Sequence, residues 1–441
     1  MLSWIGLIGG LVLLIWMTVR GVNILIAGPV AALIVAVTSG LPLLPPLAGT
    51  LGDGTAAPDF ASAYMTGFSS FLADWFLMFL LGAIFGEVMA ASGAASSVAR
   101  FITAKLGSQY ALAATVLACA VLTYGGVSVF IVAFSVYGLA VALFREANLP
   151  RRFIPGALCF GSVTFTMTTA GSPEIQNLIP MPFLGTTAYA AWEVSLVVAV
   201  FMAVVGYAWI SRMVKRAVAA GEHFEGRAGD DAVEVDTKLP SPALAMLPLI
   251  GVLGMFLITQ SLGKWALVVA LGTGLVLACA VGWSRRTELP AAFSRGATGA
   301  VVAITNTCAV VGFGSVAKLA PAFAEALAAV QSLPGSPLIG AAVAVTVIAG
   351  LTGSASGGQT IALPLIAPHY LAEGANPEEL HRVVAIASGA LDSLPHNGYV
   401  VTTIRAVCGE THASAYGAVG ATTVVVPLIG LALALALFTV F

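Results

Sequence analysis

The peptide LTYGGVS at residues 122–128 is matched by LTGSAS at residues 351–356, about 229 positions further along the chain. Two more pairs of segments lie at nearly the same separation: NLPRRF with NPEELHRV, and GSPEIQN with DSLPHNG. Matched segments at one spacing are typical of a chain built from two homologous halves. The sequence therefore predicts a first repeat at 1–211, a linker at 212–240 and a second repeat at 241–441.

The composition requires an apolar environment. Of the 441 residues, 59% are hydrophobic and 9% are charged, and the mean hydropathy is +1.00. A helix spans the hydrocarbon core with about 20 apolar residues, and the chain supplies roughly ten to twelve such stretches. We therefore expect an all-α polytopic membrane protein in a lipid bilayer, with no nucleic-acid partner, cofactor or metal site. The five scattered cysteines lack metal-ligand spacing and are expected to be buried hydrophobes.

Each repeat is predicted to contain five membrane crossings and one re-entrant hairpin. One crossing in each repeat is interrupted by glycine, proline and hydroxyl residues. The predicted first-repeat crossings are 2–19, 22–41, 68–91, 153–182 (broken) and 189–211, with a hairpin at 109–145. The second-repeat crossings are 242–260, 264–283, 296–316, 379–406 (broken) and 415–440, with a hairpin at 337–372.

The basic residues predict the orientation, because they concentrate on the cytoplasmic side of membrane proteins. With the linker in the cytoplasm, fifteen of the eighteen basic residues lie inside, and only Lys264, Lys318 and Arg382 lie outside. Five crossings are an odd number, so the second repeat enters the membrane inverted relative to the first. This predicts a multi-pass protein of the inner (plasma) membrane with both termini periplasmic or extracellular.

The four interruptions are candidate parts of one binding site. Non-helical backbone is tolerated at membrane depth only inside protein or beside a water-filled cavity. Each helix that restarts there offers free N–H groups and about half a positive charge, which favours an anionic substrate such as a carboxylate. The predicted substrate-binding residues are Thr123, Gly125, Gly126, Ser128, Thr168, Thr169, Gly171, Ser172, Asn177, Thr352, Gly353, Ser354, Ser356, Ser393, His396 and Asn397. A single Gly-Ser turn is also compatible with a plain kink or loop.

Three ionisable residues in these interruptions are candidates for proton coupling, since buried ionisable groups in membranes are usually functional. Asp392 precedes His396 by four residues, so the two can share a proton if the backbone there is helical. His396 is alternatively a substrate ligand or a structural hydrogen-bonding group. Glu174 follows Ser172 and Pro173, which fit the cap and first position of a helix, so a capping role competes with proton binding.

Four segments resemble the gluconate:proton symporter (GntP) family of the ion transporter superfamily. They are GEVMAASGAASSVARFI at 86–102, GSPEIQNLIPMPFLGTTAYAA at 171–191, VGFGSVAKLAPAF at 311–323 and SLPHNGYVVTTIRAVCGETHASAYG at 393–417. The resemblance spans nearly the whole chain. It implies proton-coupled import of small hydroxylated carboxylates by a transport subdomain that moves in an elevator-like manner against a scaffold, in a homodimer. Gluconate permeases have an acid-containing stretch where this chain has PHNG at 395–398, so a smaller acid resembling 3-hydroxybutyrate fits better than gluconate.

Three other functions stay open at this point. Sodium coupling is one, because related members of the superfamily hold sodium with Ser-Asn-Thr motifs; neither hairpin tip has that motif, but Asn177 and Asn397 lie at the breaks. A channel is another, since re-entrant hairpins also occur there. An intramembrane enzyme would use His396 with a nearby Ser or Asp, but the chain has no GxSxG or HExxH motif, so we expect no enzyme.

Overall fold

The computed structural model describes residues 1–20, 22–45, 49–50, 57–107, 110–226, 239–331 and 336–440. The regular structure of these residues is helical. The helices are α1 Leu2–Val19, α2 Ile24–Thr38, α3 Phe60–Ala91, α4 Ala94–Leu106, α5 Ala111–Tyr124, α6 Val129–Glu146, α7 Ile154–Cys159, α8 Trp192–Ala219, α9 Pro242–Ile258, α10 Trp265–Val281, α11 Leu289–Ala317, α12 Pro321–Gln331, α13 Pro337–Thr352, α14 Ala355–Ala372, α15 Pro377–Ser388, α16 His412–Gly420 and α17 Val426–Val440. A π-helical turn, Ala421–Val425, joins α16 to α17.

The helices suit a membrane in length and composition. Six helical stretches within the described ranges are long and apolar enough to cross a bilayer, and five shorter helices are also apolar. Many of them start where a short polar side chain accepts a hydrogen bond from the first turn, as helix capping requires. These capping residues are Asn23, Asp59, Ser241, Ser336, Ser354, Asn376, Asn397 and Thr411.

Both hairpins predicted from the sequence are present as helix–turn–helix pairs. Helices α5 and α6 lie at the position predicted for the first, and α13 and α14 at that predicted for the second. Other boundaries were wrong. Helix α3 starts at Phe60 rather than 68, because Asp59 caps it through the Ser62 amide at 2.9 Å, and α11 starts at Leu289 rather than 296. Helices α4 and α12 were not predicted, and α8 continues to Ala219, into the proposed linker.

Helices of the first half pack on helices of the second half in reciprocal pairs. Helix α1 packs on α12 as α9 packs on α4, and α2 packs on α11 as α10 packs on α3. Helix α3 also packs along α11, its counterpart in the other half, and α8 packs on α17. Such reciprocal packing is expected when a two-fold axis relates the halves. It supports the predicted repeat, while the inverted orientation of the halves in a bilayer stays a prediction.

Two glycines occupy corresponding positions in the two halves. Gly67 of α3 and Gly296 of α11 are 296 − 67 = 229 positions apart, the separation of the hairpin tips. A Cβ on Gly67 would lie 2.9 Å from the Val311 carbonyl oxygen of α11, and a Cβ on Gly296 would lie 2.6 Å from the Ile84 Cα of α3. The long helices therefore approach each other closely at two equivalent points, as small residues permit in membrane helix pairs.

The helices form two packed groups. Group I consists of α1, α2, α3, α9, α10 and α11. Group II consists of both hairpins, α7, α8, α15, α16 and α17. The groups meet where α3 packs on α6, α11 packs on α14 and α1 packs on α13, while α4 and α12 each contact both groups. The space between them is where the candidate site lies.

Candidate functional site

A cavity of about 530 Å³ is lined by residues of both groups. Residues of all four predicted interruptions contribute to its wall, so the structure brings the two hairpin tips and the two broken segments together. The predicted site residues that line it are Gly126, Ser128, Glu174, Thr352, Gly353, Ser354, Ser356, Asp392, Ser393, His396 and Asn397.

The second hairpin presents a helix N-terminus to this cavity. Gly353 ends α13 in the left-handed conformation, with φ of +60°, which glycine adopts without a steric penalty. The Ser354 hydroxyl then accepts a hydrogen bond from the Gly357 amide at 3.1 Å and caps α14. The Asn397 amide nitrogen donates to the Gly353 carbonyl at 3.0 Å, so the tip is bound to the second broken segment.

The first hairpin presents a second helix N-terminus, with less side-chain capping. Gly126 has a φ of +88°, and the chain restarts as α6 after Ser128, whose hydroxyl does not cap the helix. Helix α6 therefore begins with backbone N–H groups that a ligand or water can satisfy. Gly125 faces away from the cavity, since a Cβ there would lie 2.7 Å from a methyl group of Leu249 in α9.

The second broken segment also restarts at the cavity. Helix α15 ends at Ser388, and the next helical turn, Gly398–Val401, begins after Asn397, whose Oδ1 accepts from the Val400 amide at 2.9 Å. A π-helix, Thr402–Val407, continues it. Three helix N-termini thus adjoin the cavity.

The first broken segment does not restart as predicted. Helix α7 continues as a π-helix, Phe160–Thr164, and the chain then stays irregular up to a single 3₁₀ turn, Ile175–Asn177. The prediction of a helix capped by Ser172, with Glu174 in its first turn, was wrong. Glu174 has extended dihedrals and makes no cap, and its side chain lines the cavity together with that of Gln176.

Asn177 is structural in this arrangement. It is fully buried, and its amide nitrogen donates to the carbonyls of Thr169, Ser172 and Ala188. Its Oδ1 accepts from the Arg382 guanidinium at 2.9 Å. Asn177 therefore holds the irregular segment together and does not face the cavity.

The sequence predicts Arg382 on the outer side of the membrane. In the structure its side chain is fully buried in α15. Its guanidinium makes five hydrogen bonds, four of them to the carbonyls of Thr168, Ala188 and Ala190 and the fifth to Asn177. A planar group with five donors suits several carbonyls at once. Next to it, His381 is buried and shares a hydrogen bond of 2.6 Å with Thr186.

The other predicted ligands lie behind the cavity wall. Thr168 and Ser172 are buried, and Thr169 donates to the Phe165 carbonyl at 2.5 Å. Gly171 has a φ of +78° and its amide donates to the Ala188 carbonyl at 3.0 Å. Thr123 is fully buried and its hydroxyl has no hydrogen-bond partner among the described residues. None of these residues contributes to the wall.

Asp392 and His396 line the cavity, but no hydrogen bond joins them within the described residues. The backbone between them forms turns rather than a helix, so the geometry required for direct proton sharing is not present. One Asp392 oxygen accepts from the Ser393 hydroxyl at 2.9 Å. The His396 Nε2 is buried and has no hydrogen-bond partner in the part of the chain that the structure describes, and the ring lies against Gly353.

Sequence reasoning missed the contribution of group I. Thr18 and Asn23 at the α1–α2 junction and Asn306 and Thr307 of α11 also line the cavity. The available signal was the pair of polar residues at 306 and 307 within the apolar helix α11, since polar groups at membrane depth usually face a cavity or a partner.

A second cavity, of about 470 Å³, lies at the end predicted to be cytoplasmic. There Arg152 donates to both carboxylate oxygens of Glu222, at 2.6 and 2.8 Å. These hydrogen bonds and the positive charge of Arg152 hold the pKa of Glu222 below its ordinary value. The pair joins the start of the first broken segment to the end of α8.

The comparisons with known proteins identify the class. The chain is 35% identical to the uncharacterized transporter YxjC of Bacillus subtilis (strain 168), over 94% of each protein. Its fold matches the crystal structure of the Alcanivorax borkumensis YdaH transporter, described as having an unusual topology, with a TM-score of 0.57, 13% identity and coverage of 98% of this chain and 99% of that one. No protein-family model matches the chain.

Proposed function

Because the chain belongs to the family of the transporter YxjC and is a multi-pass membrane protein, we propose that it is a secondary active transporter that imports a small hydroxylated carboxylate by proton symport. The resemblance to gluconate:proton symporters supports this assignment. The conclusion rests chiefly on the cavity between the two helical groups.

That cavity combines helix N-termini with an absence of basic side chains. The starts of α6, α14 and the turn Gly398–Val401 adjoin it, and no lysine or arginine is among the described residues that line it. Backbone N–H groups and hydroxyls at helix N-termini bind anions through hydrogen bonds and the helix dipole. A carboxylate therefore finds donors at Ser354 and Ser356 without a salt bridge.

The size and lining of the cavity favour a short hydroxy acid. Its volume is about 530 Å³, within the usual range of small-molecule sites. The amides of Asn23 and Asn306 and the hydroxyl of Thr307, which also line the cavity, provide hydrogen-bonding groups for substrate hydroxyls. An acid resembling 3-hydroxybutyrate suits this arrangement, with a gluconate-like acid as the longer candidate.

Proton coupling is supported by the acids in the same wall. Asp392 and Glu174 line the cavity, and His396 lies beside them in it. A carboxyl group that takes up a proton when the substrate binds would couple the movement of the proton to the movement of the substrate across the membrane. Sodium coupling is the alternative, because hydroxyl and carbonyl oxygens at the tips, together with Asn397, are also ligands that sodium accepts.

The two-group architecture supports an elevator-like movement. Group II contains both hairpins and both broken segments, whereas group I contributes the long, closely packed pair α3 and α11. In this mechanism group II carries the substrate as a transport subdomain along group I, the scaffold, which also forms the homodimer contact. Two groups that share few contacts can shift as rigid bodies.

The proposal is tested with purified protein in liposomes. An imposed inward proton gradient without sodium is expected to drive saturable accumulation of 3-hydroxybutyrate above equilibrium, and uptake should fall when a protonophore is added. Accumulation that requires a sodium gradient would mean that transport is coupled to sodium and not to protons. Uptake that never exceeds equilibrium would indicate a channel, and chemical conversion of the acid would indicate an enzyme.

A further inference from the structure

The loop at 391–396 carries part of the cavity wall on irregular backbone. It forms turns, and one backbone–backbone hydrogen bond reaches it within the described ranges, from the Asn397 amide to the Leu394 carbonyl at 2.8 Å. Backbone with so few hydrogen bonds does not by itself fix the direction of its side chains. Three of these side chains nevertheless line the cavity, those of Asp392, Ser393 and His396.

Two side chains of α16 bind the carbonyls of this loop. The Tyr416 hydroxyl donates to the Ser393 carbonyl at 3.1 Å, and the His412 Nε2 lies 3.1 Å from the Pro395 carbonyl oxygen. A carbonyl oxygen only accepts, so the His412 Nε2 carries the proton that is donated. Because a peptide group is planar, fixing the Pro395 carbonyl also fixes the amide of His396.

The two donors form one packed unit on a supported helix. His412 and Tyr416 are four residues apart on one face of α16, and their rings are stacked with centroids 6.1 Å apart and an interplanar angle of 20°. A capping box between Thr411 and Ser414 fixes the first turn of α16, and the helix packs on α7. The loop carbonyls are therefore attached to a helix face that is itself held in place.

The tip of the second hairpin holds the other end of the loop. The Asn397 amide nitrogen donates to the Gly353 carbonyl at 3.0 Å, and the His396 ring lies against Gly353. The loop is thus bonded to α16 on one side and to the hairpin tip on the other. Loss of the bonds to α16 would let Asp392 and His396 turn away from the cavity.

We propose that His412 and Tyr416 are positioning residues, which hold the loop so that its three polar side chains face the bound substrate. Neither is among the described residues that line the cavity, so both act through the loop carbonyls. Their effect on transport rests on the proposed function, whereas the hydrogen bonds that hold the loop do not depend on it.

The positioning role is tested by uptake of 3-hydroxybutyrate into liposomes containing the Tyr416→Phe variant. Loss of one hydrogen bond to the loop should raise KM about fivefold and change the maximal rate by less than about twofold. Tyr64→Phe is the matched control, because the Tyr64 hydroxyl donates to the Ala309 carbonyl of α11 at 3.2 Å, within group I and outside the cavity wall. Both variants lose one hydroxyl-to-carbonyl hydrogen bond, so similar midpoints of unfolding with different KM values would separate positioning from stability.

Two variants of His412 provide a second test. KM should rise in His412→Phe, which keeps an aromatic ring beside Tyr416 but has no donor. It should stay near the value of the unaltered protein in His412→Gln, whose side-chain amide can donate to the Pro395 carbonyl. An unchanged KM in both Tyr416→Phe and His412→Phe, or an equal rise in His412→Phe and His412→Gln, would overturn the positioning role.

Hydrogen–deuterium exchange of the purified, substrate-free protein tests the loop contacts without any measurement of transport. Peptides that cover residues 391–401 should exchange about fivefold faster in Tyr416→Phe than in Tyr64→Phe, since the loop opens more often when a hydrogen bond is lost. Equal exchange in the two variants would overturn the proposal. If the unaltered protein takes up no 3-hydroxybutyrate, the proposed function fails instead, and the exchange measurement still decides whether α16 holds the loop.

Discussion

At the scale of single residues, the polar groups that line the cavity were easier to predict from the sequence than the buried residues that hold the irregular backbone around it. Asp392, His396 and Ser356 were recognisable because polar residues in an apolar chain are costly and therefore informative. The roles of Asn177 and Arg382 were not recognisable. Their partners are mostly backbone carbonyls of Thr168, Ala188 and Ala190, and the direction of a carbonyl depends on a loop conformation that no residue type specifies.

Asp392 is predicted to carry the coupled proton. An amide cannot take up a proton at this position, so Asp392→Asn should lower proton-driven uptake by about tenfold or more, equivalent to about 1.4 kcal/mol, while substrate exchange continues. The measurement is uptake in liposomes at a series of external pH values. Asp74→Asn serves as the control, because Asp74 is an exposed carboxylate of group I paired with Lys264 at 2.8 Å. Equal pH dependence in Asp392→Asn and the unaltered protein would assign the proton elsewhere, with Glu174 as the next candidate.

At the scale of elements, the hairpins were predictable and the first broken segment was not. Glycine and hydroxyl residues between two apolar stretches specify a turn locally, so α13 and α14 lie where the sequence put them. In the first broken segment, the Ser-Pro-Glu pattern at 172–174 also specifies a helix start locally. Tertiary contacts override it, because Asn177 and the buried Arg382 hold that segment irregular.

The tip of the second hairpin is predicted to be intolerant of any side chain. Gly353→Ala introduces a left-handed alanine, which costs about 1–2 kcal/mol, and its Cβ would lie 2.8 Å from the His396 Nε2. Gly374→Ala is the control, since Gly374 has a φ of +84° with open space around its Cβ position. Thermal unfolding should show a larger loss for Gly353→Ala, and its KM for substrate should rise while that of the control does not. Identical behaviour of the two variants would argue against a close contact between the tip and His396.

At the scale of the whole molecule, the sequence predicted two homologous halves but did not predict how their helices are divided between the two packed groups. The shared spacing of 229 residues predicted two halves, and the reciprocal packing between them agrees with that prediction. Which helices join group I and which join group II could not be predicted, because both groups contain apolar membrane helices and no pattern in those helices distinguishes a protein-facing surface from a lipid-facing one. The polar wall formed by Asn23 and Asn306 was missed as well, although the polar residues at 306 and 307 within the apolar helix α11 pointed to it.

An experimental structure of the protein with 3-hydroxybutyrate bound would show directly where and how the acid is held. We expect the carboxylate at the N-terminus of α14, within hydrogen-bonding distance of the Ser354 or Ser356 hydroxyl or of the first backbone amides of that helix, with no lysine or arginine side chain in contact. A carboxylate bound by a basic side chain, or an acid bound outside the cavity between groups I and II, would contradict it.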